Sequence, residues 1–224
     1  MNRAPSVIAV GGTGTGVGKT HVAAALVRVL GRLGVATVGF KPIETGLGDG
    51  PTDAGTLGAA AGTLHVKQVF AYAPPISPHL AARLRGERID PAPIRARLEA
   101  LRREFPAVIV ELAGGLFSPL APGLDNLGLV RLLGCPALVL VAPDRLGVLH
   151  DATATLGLAR ARGRAPDALV LSTPATPDDS TGTNSAELIG LGLAATVPVF
   201  PRAGMEDAVT LNVARELLDR LAER

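Results

Sequence analysis

The feature that constrains this chain most is a glycine-rich run from Gly12 to Thr20, which reads G-T-G-T-G-V-G-K-T. An apolar segment, residues 6–10, precedes the run, and a segment with helical spacing follows it directly. Glycines allow the backbone to turn tightly and to direct its N–H groups toward one point. A helix that begins at the end of such a loop adds a partial positive charge there. The order strand, loop, helix therefore predicts a site for the phosphates of a nucleoside triphosphate.

Two side chains of the run are suited to this ligand. Lys19 is placed to reach the β- and γ-phosphates, and the Thr20 hydroxyl is placed to hold Mg²⁺. The chain contains only three lysines, Lys19, Lys41 and Lys67, and arginine supplies its other cationic side chains. Lys19 and Lys41 both fall inside motifs. This choice of lysine indicates a need for a compact ammonium group.

Short apolar or β-branched segments alternate with longer segments of helical spacing along the chain. The predicted strands span residues 6–10, 36–40, 107–111, 137–142, 168–171 and 196–200. The predicted helices span residues 20–33, 53–61, 91–104, 126–133, 148–162, 184–191 and 206–223. This alternation predicts an α/β fold, in which helices flank both faces of a mostly parallel, twisted β-sheet, in one domain covering residues 1–224. Functional residues are then expected beyond the carboxyl ends of the strands.

Charged side chains lie at two of these strand ends. Lys41 follows the second predicted strand, and Glu111 ends the third. A lysine at a strand end is most often an exposed cap, but the rarity of lysine in this chain favours a functional role. A buried carboxylate such as that of Glu111 is costly unless a cation meets it, and Mg²⁺ or Lys19 would do so. Asp53 opens a predicted helix, where the helix dipole alone would favour an aspartate.

Composition narrows the class of protein. The chain is 47% hydrophobic and 19% charged, which indicates a globular protein and excludes a disordered one. Its formal charge of +2 gives little reason to expect nucleic-acid binding. The apolar run at residues 7–10 is too short to span a membrane or to form a signal-peptide core. The single cysteine, Cys135, has no partner for an internal disulfide, so a cytoplasmic location is expected.

Taken as a set, the motifs resemble those of the dethiobiotin synthetase family. Five residues separate Gly12 from Gly18, whereas the general phosphate-binding loop has four. The longer spacing, G-T-x-T-x-V-G-K-T, is similar to that of the family. Residues 41–46 match its K-P-x-x-[ST]-G motif, and residues 111–115 match its E-G-A-G-G motif except at one position. The motifs keep their order from Gly12 to Ala203, so the resemblance covers nearly the whole chain.

The resemblance implies an ATP-dependent ligase of biotin biosynthesis that forms dethiobiotin from 7,8-diaminopelargonate and CO₂. In the implied reaction, one amine of the substrate adds to CO₂ and gives a carbamate. The carbamate oxygen then attacks the γ-phosphate of ATP and forms a mixed anhydride. The second amine attacks the carbonyl, which closes the cyclic urea and releases phosphate. The work left to the protein is positioning and charge stabilisation.

The family's functional residues carry over onto this chain where the motifs match. Lys19 and Lys41 would be catalytic, with Lys41 holding the carbamate. Mg²⁺ would be held by Thr20, Asp53 and Glu111. The nucleotide would be bound by Gly14, Thr15, Gly16, Val17, Gly18, Lys19, Thr20, Ser172, Pro201 and Ala203. The diamine would be bound by Thr15, Lys41, Thr45, Gly114 and Gly115, and its carboxylate tail by Val148, Leu149 and His150 of the partner subunit in a homodimer.

Three positions depart from the family pattern. Leu112 replaces a glycine, and if the backbone there needs a positive φ, leucine costs about 1–2 kcal/mol and reshapes the pocket wall. His150 replaces an asparagine, and it retains the ability to donate a hydrogen bond. Ser172 replaces the asparagine that reads adenine. Because serine lacks the paired donor and acceptor of an amide, weaker selection for adenine and use of other triphosphates are expected. His21 is interpreted as an ordinary helix residue.

Two other functions stay open from the sequence. The chain would be a diverged paralogue, acting on another amine or inactive, if the changes at Leu112 and His150 altered the substrate site. A partition-type switch ATPase would share the predicted fold. Such ATPases carry a second lysine five residues before the main one, and this chain has Gly14 there. The intact lysines and the acidic metal candidates favour the synthetase.

Overall fold

A parallel sheet of six strands lies at the centre of the structure, a computed structural model that describes residues 5–48, 50–62, 66–204 and 206–223. Its strands are β1 (Val7–Gly12), β2 (Thr37–Phe40), β5 (Ala107–Glu111), β8 (Ala137–Pro143), β9 (Ala168–Ser172) and β10 (Val199–Phe200). They are arranged in the order β10-β9-β8-β1-β5-β2, and every neighbouring pair is parallel. β1 therefore lies centrally, with the phosphate-loop segment at its carboxyl end.

Helices follow most of these strands, as the sequence pattern predicts. The helices of the described residues are α1 (Lys19–Arg32), α2 (Asp53–Ala61), α3 (Pro78–Leu84), α4 (Pro91–Glu104), α5 (Asn126–Leu132), α6 (Val148–Ala161), α7 (Asn184–Gly190) and α8 (Ala208–Ala222). Side chains cap several of them, and Asp207, for example, accepts hydrogen bonds from two first-turn amides of α8. Within the described ranges, no helix combines the length and the apolar character that a membrane span requires.

The sheet carries a hydrophobic core on each of its faces. Along β1, Val7 and Ala9 belong to one core, whereas Ile8 and Val10 belong to the other. Apolar residues of α4, α5 and α6 complete the first core, and those of α1 and α8 complete the second. Because successive side chains of a strand point to opposite faces, helices must cover both sides of the sheet. The predicted fold class is confirmed.

The main differences from the predicted elements concern short segments. The strand predicted at 196–200 forms only at Val199–Phe200, because Pro198 has no N–H to donate to the sheet. Helix α3 was not predicted, and neither were four short strands. These strands are β3 (Ile43–Thr45), paired with β4 (Phe70–Tyr72), and β6 (Pro119–Ala121), paired with β7 (Leu124–Asp125). Strand β3 begins two residues after Lys41 and carries Thr45.

Candidate active site

The carboxyl ends of β1, β5 and β2 lie side by side at one edge of the sheet, because these parallel strands are neighbours. The phosphate loop follows β1, Lys41 follows β2, and Glu111 ends β5. Together with Asp53, the first residue of α2, they border a cavity of about 560 Å³. Lys19 and Thr20 also line this cavity. The structure thus brings together all five residues predicted to be catalytic or to hold metal.

Close packing and backbone conformation fix the shape of the phosphate loop. Gly18 has a φ of 94°, a left-handed conformation that other residues rarely adopt. A Cβ at this position would lie 2.2 Å from Ser172 Oγ, so β9 closes against the loop here. A Cβ at Gly12 would lie 2.7 Å from Val17 Cγ2. Helix α1 begins directly after Gly18, so its first amides face the space that the loop surrounds.

The Lys41 ammonium group forms the centre of a buried cluster. Its Nζ lies 2.6 Å from Glu111 Oε1 and 2.7 Å from Asp53 Oδ2. The Thr20 hydroxyl lies 2.9 Å from Glu111 Oε1 and 3.0 Å from Asp53 Oδ1, and it donates its single proton to one of them at a time. The Lys41 and Glu111 side chains are 5% and 1% exposed, whereas that of Asp53 is 40% exposed. Among the three charged side chains, Asp53 is therefore the one most open to the cavity.

The two lysines differ in their electrostatics. Burial acts to lower the pKa of Lys41, but the attraction of Glu111 and Asp53 outweighs it and raises this pKa above its ordinary value. Lys41 therefore stays charged. Burial lowers the pKa of Lys19 to about 8, and repulsion from Lys41 adds to the effect. Lys19 Nζ donates a hydrogen bond to the Gly14 carbonyl at 2.8 Å. An ammonium whose hydrogen bond goes to a neutral carbonyl is well suited to bind an anion.

The oxygen atoms of the cluster fit a magnesium ion. Glu111 Oε2 is buried and has no hydrogen-bond partner among the described residues, and such an atom is costly unless a ligand meets it. Asp53 and Thr20 supply further hard oxygen donors. The described part of the chain holds no group of three or more His, Cys, Asp or Glu residues suited to a metal. Two carboxylates and a hydroxyl instead fit Mg²⁺, which takes its remaining ligands from phosphates and water.

Glu44 is a site residue that the sequence analysis missed. It lies in β3, lines the cavity, and is only 6% exposed. Its Oε1 accepts a hydrogen bond of 2.6 Å from the amide of Asp53, and its Oε2 accepts from Ala54 N and from Gln68 Nε2. The sequence signal for it is an acidic residue in an apolar segment three positions after Lys41.

The predicted substrate residues divide into two groups. Thr15, Thr45 and Gly114 line the cavity. Gly115 does not, because it packs behind the phosphate loop, where a Cβ would lie 3.1 Å from the Thr13 carbonyl oxygen. Gly114, with a φ of 70°, has the positive φ in this segment.

Leu112 packs into the core and does not line the cavity. It is 1% exposed, and its amide donates to Val10 O at 3.0 Å. Among the described residues only glycines have a positive φ, so leucine causes no strain of that kind here. The possible cost and the reshaped pocket wall considered from the sequence therefore do not arise in this conformation.

The first turn of α6 lies apart from the cavity within this chain. Val148 is buried, Leu149 is half-buried and His150 is exposed, and none of them lines the cavity. Gly147 precedes the helix with a φ of 93°. The amide of Leu146 donates to Asp178 Oδ2 at 2.8 Å. Within a single chain, the structure does not bring these residues together with the rest of the site.

A second, smaller cavity of about 290 Å³ opens on the other side of the phosphate loop. It is lined by Gly18, His21, Ser172, Thr173, Arg202 and Ala203. Pro201 lies beside it, and its carbonyl accepts a hydrogen bond of 2.9 Å from His21 Nε2. Burial lowers the pKa of His21, so the ring is neutral at physiological pH, with its proton on Nε2. His21 thus forms part of this cavity wall, although the sequence indicates only an ordinary helix residue.

Comparisons with known proteins agree with this geometry. A family model described as an AAA domain matches residues 6–206. The ATP-dependent dethiobiotin synthetase of Anaeromyxobacter dehalogenans (strain 2CP-1) is 36% identical over 195 residues, which cover 85% of this chain and 87% of the relative. The ATP-dependent dethiobiotin synthetase of Caulobacter vibrioides (strain NA1000) is 35% identical over 215 residues, which cover 90% of this chain and 95% of the relative.

Solved structures share the fold at low sequence identity. A ParA family ATPase from Chlorobium tepidum is 13% identical, with a TM-score of 0.56, and the match covers 98% of this chain and 95% of that one. A chain of the MinC:MinD cell division protein complex from Aquifex aeolicus is 12% identical, with a TM-score of 0.52 and the same coverage. At this identity the likeness concerns the arrangement of strands and helices alone.

Proposed function

This chain belongs to the ATP-dependent dethiobiotin synthetase family, and we propose that the cavity at the carboxyl ends of β1, β5 and β2 is where its ring-closing reaction takes place. The protein is an ATP-dependent ligase of biotin biosynthesis. The observation that carries the proposed site is the cluster of Lys41, Glu111, Asp53 and Thr20 beside the phosphate loop. A diverged paralogue and a partition-type switch ATPase are not favoured, since the sequence relatives are synthetases and the partition ATPase shares only the fold.

We assign the phosphates of ATP to the loop formed by Gly14, Thr15, Gly16, Val17 and Gly18, with Lys19 and Thr20. Amides of the loop and of the first turn of α1 would donate to the phosphate oxygens. Lys19 has a neutral partner, the Gly14 carbonyl, and would exchange it for the β- and γ-phosphates. A nearby anion favours the ammonium form, so binding would raise the lowered pKa of Lys19.

Thr20, Asp53 and Glu111 would hold Mg²⁺. When bound, this ion would neutralise charge on the phosphate oxygens. The unpartnered Oε2 atom of Glu111 and the partly exposed carboxylate of Asp53 support this assignment. Lys41 contacts both carboxylates and would move from them to the reacting groups once they hold the metal.

The diamine would occupy the part of the cavity between the phosphate loop and β3. Thr15, Thr45 and Gly114 line this part, and Gly115 would support it from behind the loop. One amine adds to CO₂, and a carbamate oxygen then attacks the γ-phosphate as ADP leaves. The second amine attacks the carbonyl carbon, phosphate leaves, and the cyclic urea remains. Lys19 and Lys41 would stabilise the negative charge that develops on the transferred phosphoryl group and on the carbamate.

A homodimer would complete the site. Val148, Leu149 and His150 lie outside the cavity of their own chain, which supports their placement over the partner's cavity. The amides at the start of α6 suit the carboxylate tail of the substrate. Subunit mixing tests this arrangement. Hybrids of a Lys41→Met chain with a His150→Glu chain contain one intact site, so activity should return on mixing. Mixtures that stay inactive despite proven exchange of subunits would exclude a shared site.

The smaller cavity would receive the nucleobase. Ser172 and Ala203 line this cavity and Pro201 lies beside it, and we assign the three residues to the base because of the resemblance. The His21 ring forms a further part of the cavity wall. Because a serine presents only one hydroxyl to the base, we propose that selection for adenine is weak. We also propose that residues 1–224 act as one domain in the cytoplasm, where the Cys135 thiol would stay reduced.

Product detection tests the function directly. The protein would be incubated with 7,8-diaminopelargonate, bicarbonate, Mg²⁺ and ATP, and dethiobiotin would be detected by mass spectrometry, with a parallel reaction containing CTP. We expect product with ATP and measurable product with CTP. Protein that binds triphosphate but yields no dethiobiotin with either nucleotide would contradict the proposed function and favour a diverged paralogue. Strict dependence on ATP would contradict only the proposed role of Ser172.

A further inference from the structure

Glu44 stands out among the charged residues of the cavity because no step of the reaction uses it. It is 6% exposed, and its carboxylate points to the start of α2 and not to the Lys41 ammonium. Its Oε1 accepts from Asp53 N at 2.6 Å, and its Oε2 accepts from Ala54 N at 3.4 Å and from Gln68 Nε2. Gln68 precedes β4, the partner strand of β3, so two segments of the chain hold this one side chain.

These contacts complete the cap of α2. Thr52 accepts from the amide of Gly55 at 2.9 Å, and Glu44 accepts from the two amides before it. The first three amides of the helix are therefore all bound by side chains. A serine, threonine or asparagine cap normally leaves part of this turn to water. Such complete capping fixes the position and direction of the first residue, which is Asp53.

The charge of Glu44 needs an explanation beyond capping. Glu44 places a third carboxylate beside Asp53, with a negative charge that a neutral acceptor would lack. The helix dipole and three donors compensate it. Charge-assisted hydrogen bonds are shorter and stronger than neutral ones, and the bond to Asp53 N is short. A charged acceptor thus holds the backbone of Asp53 more rigidly than a neutral one would.

We propose that Glu44 is a positioning residue for the metal site, which fixes the start of α2 so that the Asp53 carboxylate faces Thr20 and Glu111. This inference rests on the proposed function, in which Asp53 holds Mg²⁺. Asp53 is the most exposed of the three charged members of the cluster, at 40%, so its own packing restrains it least. Groups that orient metal ligands in this way change metal affinity by about 10–100-fold when they are lost.

Loss of the Glu44 carboxylate should weaken metal binding without weakening nucleotide binding. Glu44 contacts none of the phosphate-loop residues in its hydrogen bonds. A Glu44→Gln variant should therefore bind ADP as wild type does in EDTA. In the presence of ADP, its affinity for Mn²⁺, measured by electron paramagnetic resonance, should fall by about 10-fold or more. Amide hydrogen exchange in the peptide that contains Asp53 and Ala54 should become faster.

Two further variants sharpen the test. In Glu44→Gln/Gln68→Glu, the amide and carboxylate exchange places, so the net charge is kept but Asp53 N and Ala54 N face a neutral side chain, and the Mn²⁺ affinity should stay as low as in Glu44→Gln. Glu99→Gln, on the surface of α4, removes the same charge far from the site and should change neither readout. Should Glu44→Gln fail to fold, the exchanged pair carries the test: we expect its Mn²⁺ affinity to fall by about 10-fold, and wild-type affinity in this pair would overturn the proposal.

The outcomes distinguish this inference from the proposed function. Mn²⁺ affinity and amide exchange in Glu44→Gln equal to those of wild type and Glu99→Gln would overturn the positioning role. A parallel loss of ADP affinity in EDTA would also overturn it, since that result indicates a general collapse of the site. If wild-type protein with ADP bound no Mn²⁺, the proposed metal site itself would be wrong, whatever the variants showed.

Discussion

Replacing Lys41 by methionine tests the buried cluster most directly, because it removes the ammonium and keeps an unbranched side chain of similar size. The Glu111 side chain is 1% exposed, so the substitution leaves a carboxylate that is desolvated and has lost its cation. Removing one partner of a buried ion pair costs about 3–5 kcal/mol. For a chain of this length each kcal/mol lowers the melting temperature by about 2–4 °C, so we expect a fall of roughly 10 °C in EDTA.

The same substitution should change the response to magnesium. In the wild type, Lys41 contacts Glu111 Oε1 and Asp53 Oδ2 and so already neutralises the two carboxylates that would hold a metal. In Lys41→Met these atoms are free, so Mg²⁺ without nucleotide should raise the melting temperature of the variant more than that of the wild type. Dethiobiotin synthesis should nevertheless fall by about 10²-fold or more, since the charge that stabilises the reacting groups is lost.

Scanning calorimetry in EDTA and in Mg²⁺, with product detection by mass spectrometry, would measure both effects. Lys67→Met is the matched control, because Lys67 is an exposed lysine outside the cavity. It should leave the melting temperature and the activity unchanged. If Lys41→Met melted in EDTA together with this control, the cluster would not stabilise the fold as the geometry indicates. Equal stabilisation of wild type and variant by Mg²⁺ would refute the competition between Lys41 and the metal.

Other parts of the structure lead to further expected outcomes. Gly18→Ala should weaken ADP binding at least tenfold in calorimetric titration, because Gly18 has a φ of 94° and a Cβ there would lie 2.2 Å from Ser172 Oγ. Wild-type affinity in this variant would contradict the packing of β9 against the loop. His21→Val removes the hydrogen bond to the Pro201 carbonyl, worth about 1 kcal/mol, and should raise the ADP dissociation constant about fivefold, whereas an unchanged constant would exclude His21 from the base site. Burial raises the pKa of Cys135 to about 12, so at pH 8 only roughly one thiol in ten thousand is ionised. Alkylation of Cys135 by iodoacetamide should therefore occur only after the protein unfolds. Rapid labelling of the folded protein would show instead that the thiol is accessible.

The core of the site follows from the sequence because of one property of parallel sheets. Residues at the carboxyl ends of neighbouring strands must lie close together, so Lys41 and Glu111 meet the phosphate loop however far apart they are in the chain. The alternation of short apolar segments with segments of helical spacing likewise predicts where most of the strands and helices lie. The family motifs add the assignment of Thr45, which the strand pattern alone places in a loop.

Contacts between irregular segments are what the sequence leaves undetermined. Glu44 lies in β3 and binds the first amides of α2. β3 has three residues and pairs with β4, which lies beyond α2 in the chain, and no periodic pattern marks so short a strand. His21 reaches Pro201, which is 180 residues away, through the loop after β10. At Leu112 the opposite holds, because the sequence suggests a change in the site that the structure does not show. A departure from a motif suggests a changed pocket, but the side chain packs into the core and the cavity wall is left to its neighbours.

The arrangement of charge in the cluster gives an order to the binding events. The two carboxylates that suit Mg²⁺ already have a counter-ion in Lys41, so a metal arriving alone would have to displace an ammonium group that is bound at 2.6 Å and 2.7 Å. A triphosphate supplies new negative charge beside Lys19 and Lys41, and it brings its own oxygen ligands for the metal. Nucleotide and Mg²⁺ would therefore bind best together: the triphosphate would attract the Lys41 ammonium, and the metal would replace this ammonium beside the two carboxylates. On the proposed mechanism, the same exchange would move Lys41 away from the carboxylates and toward the reacting phosphate, so Lys41 would become available for the reaction only once the nucleotide is bound.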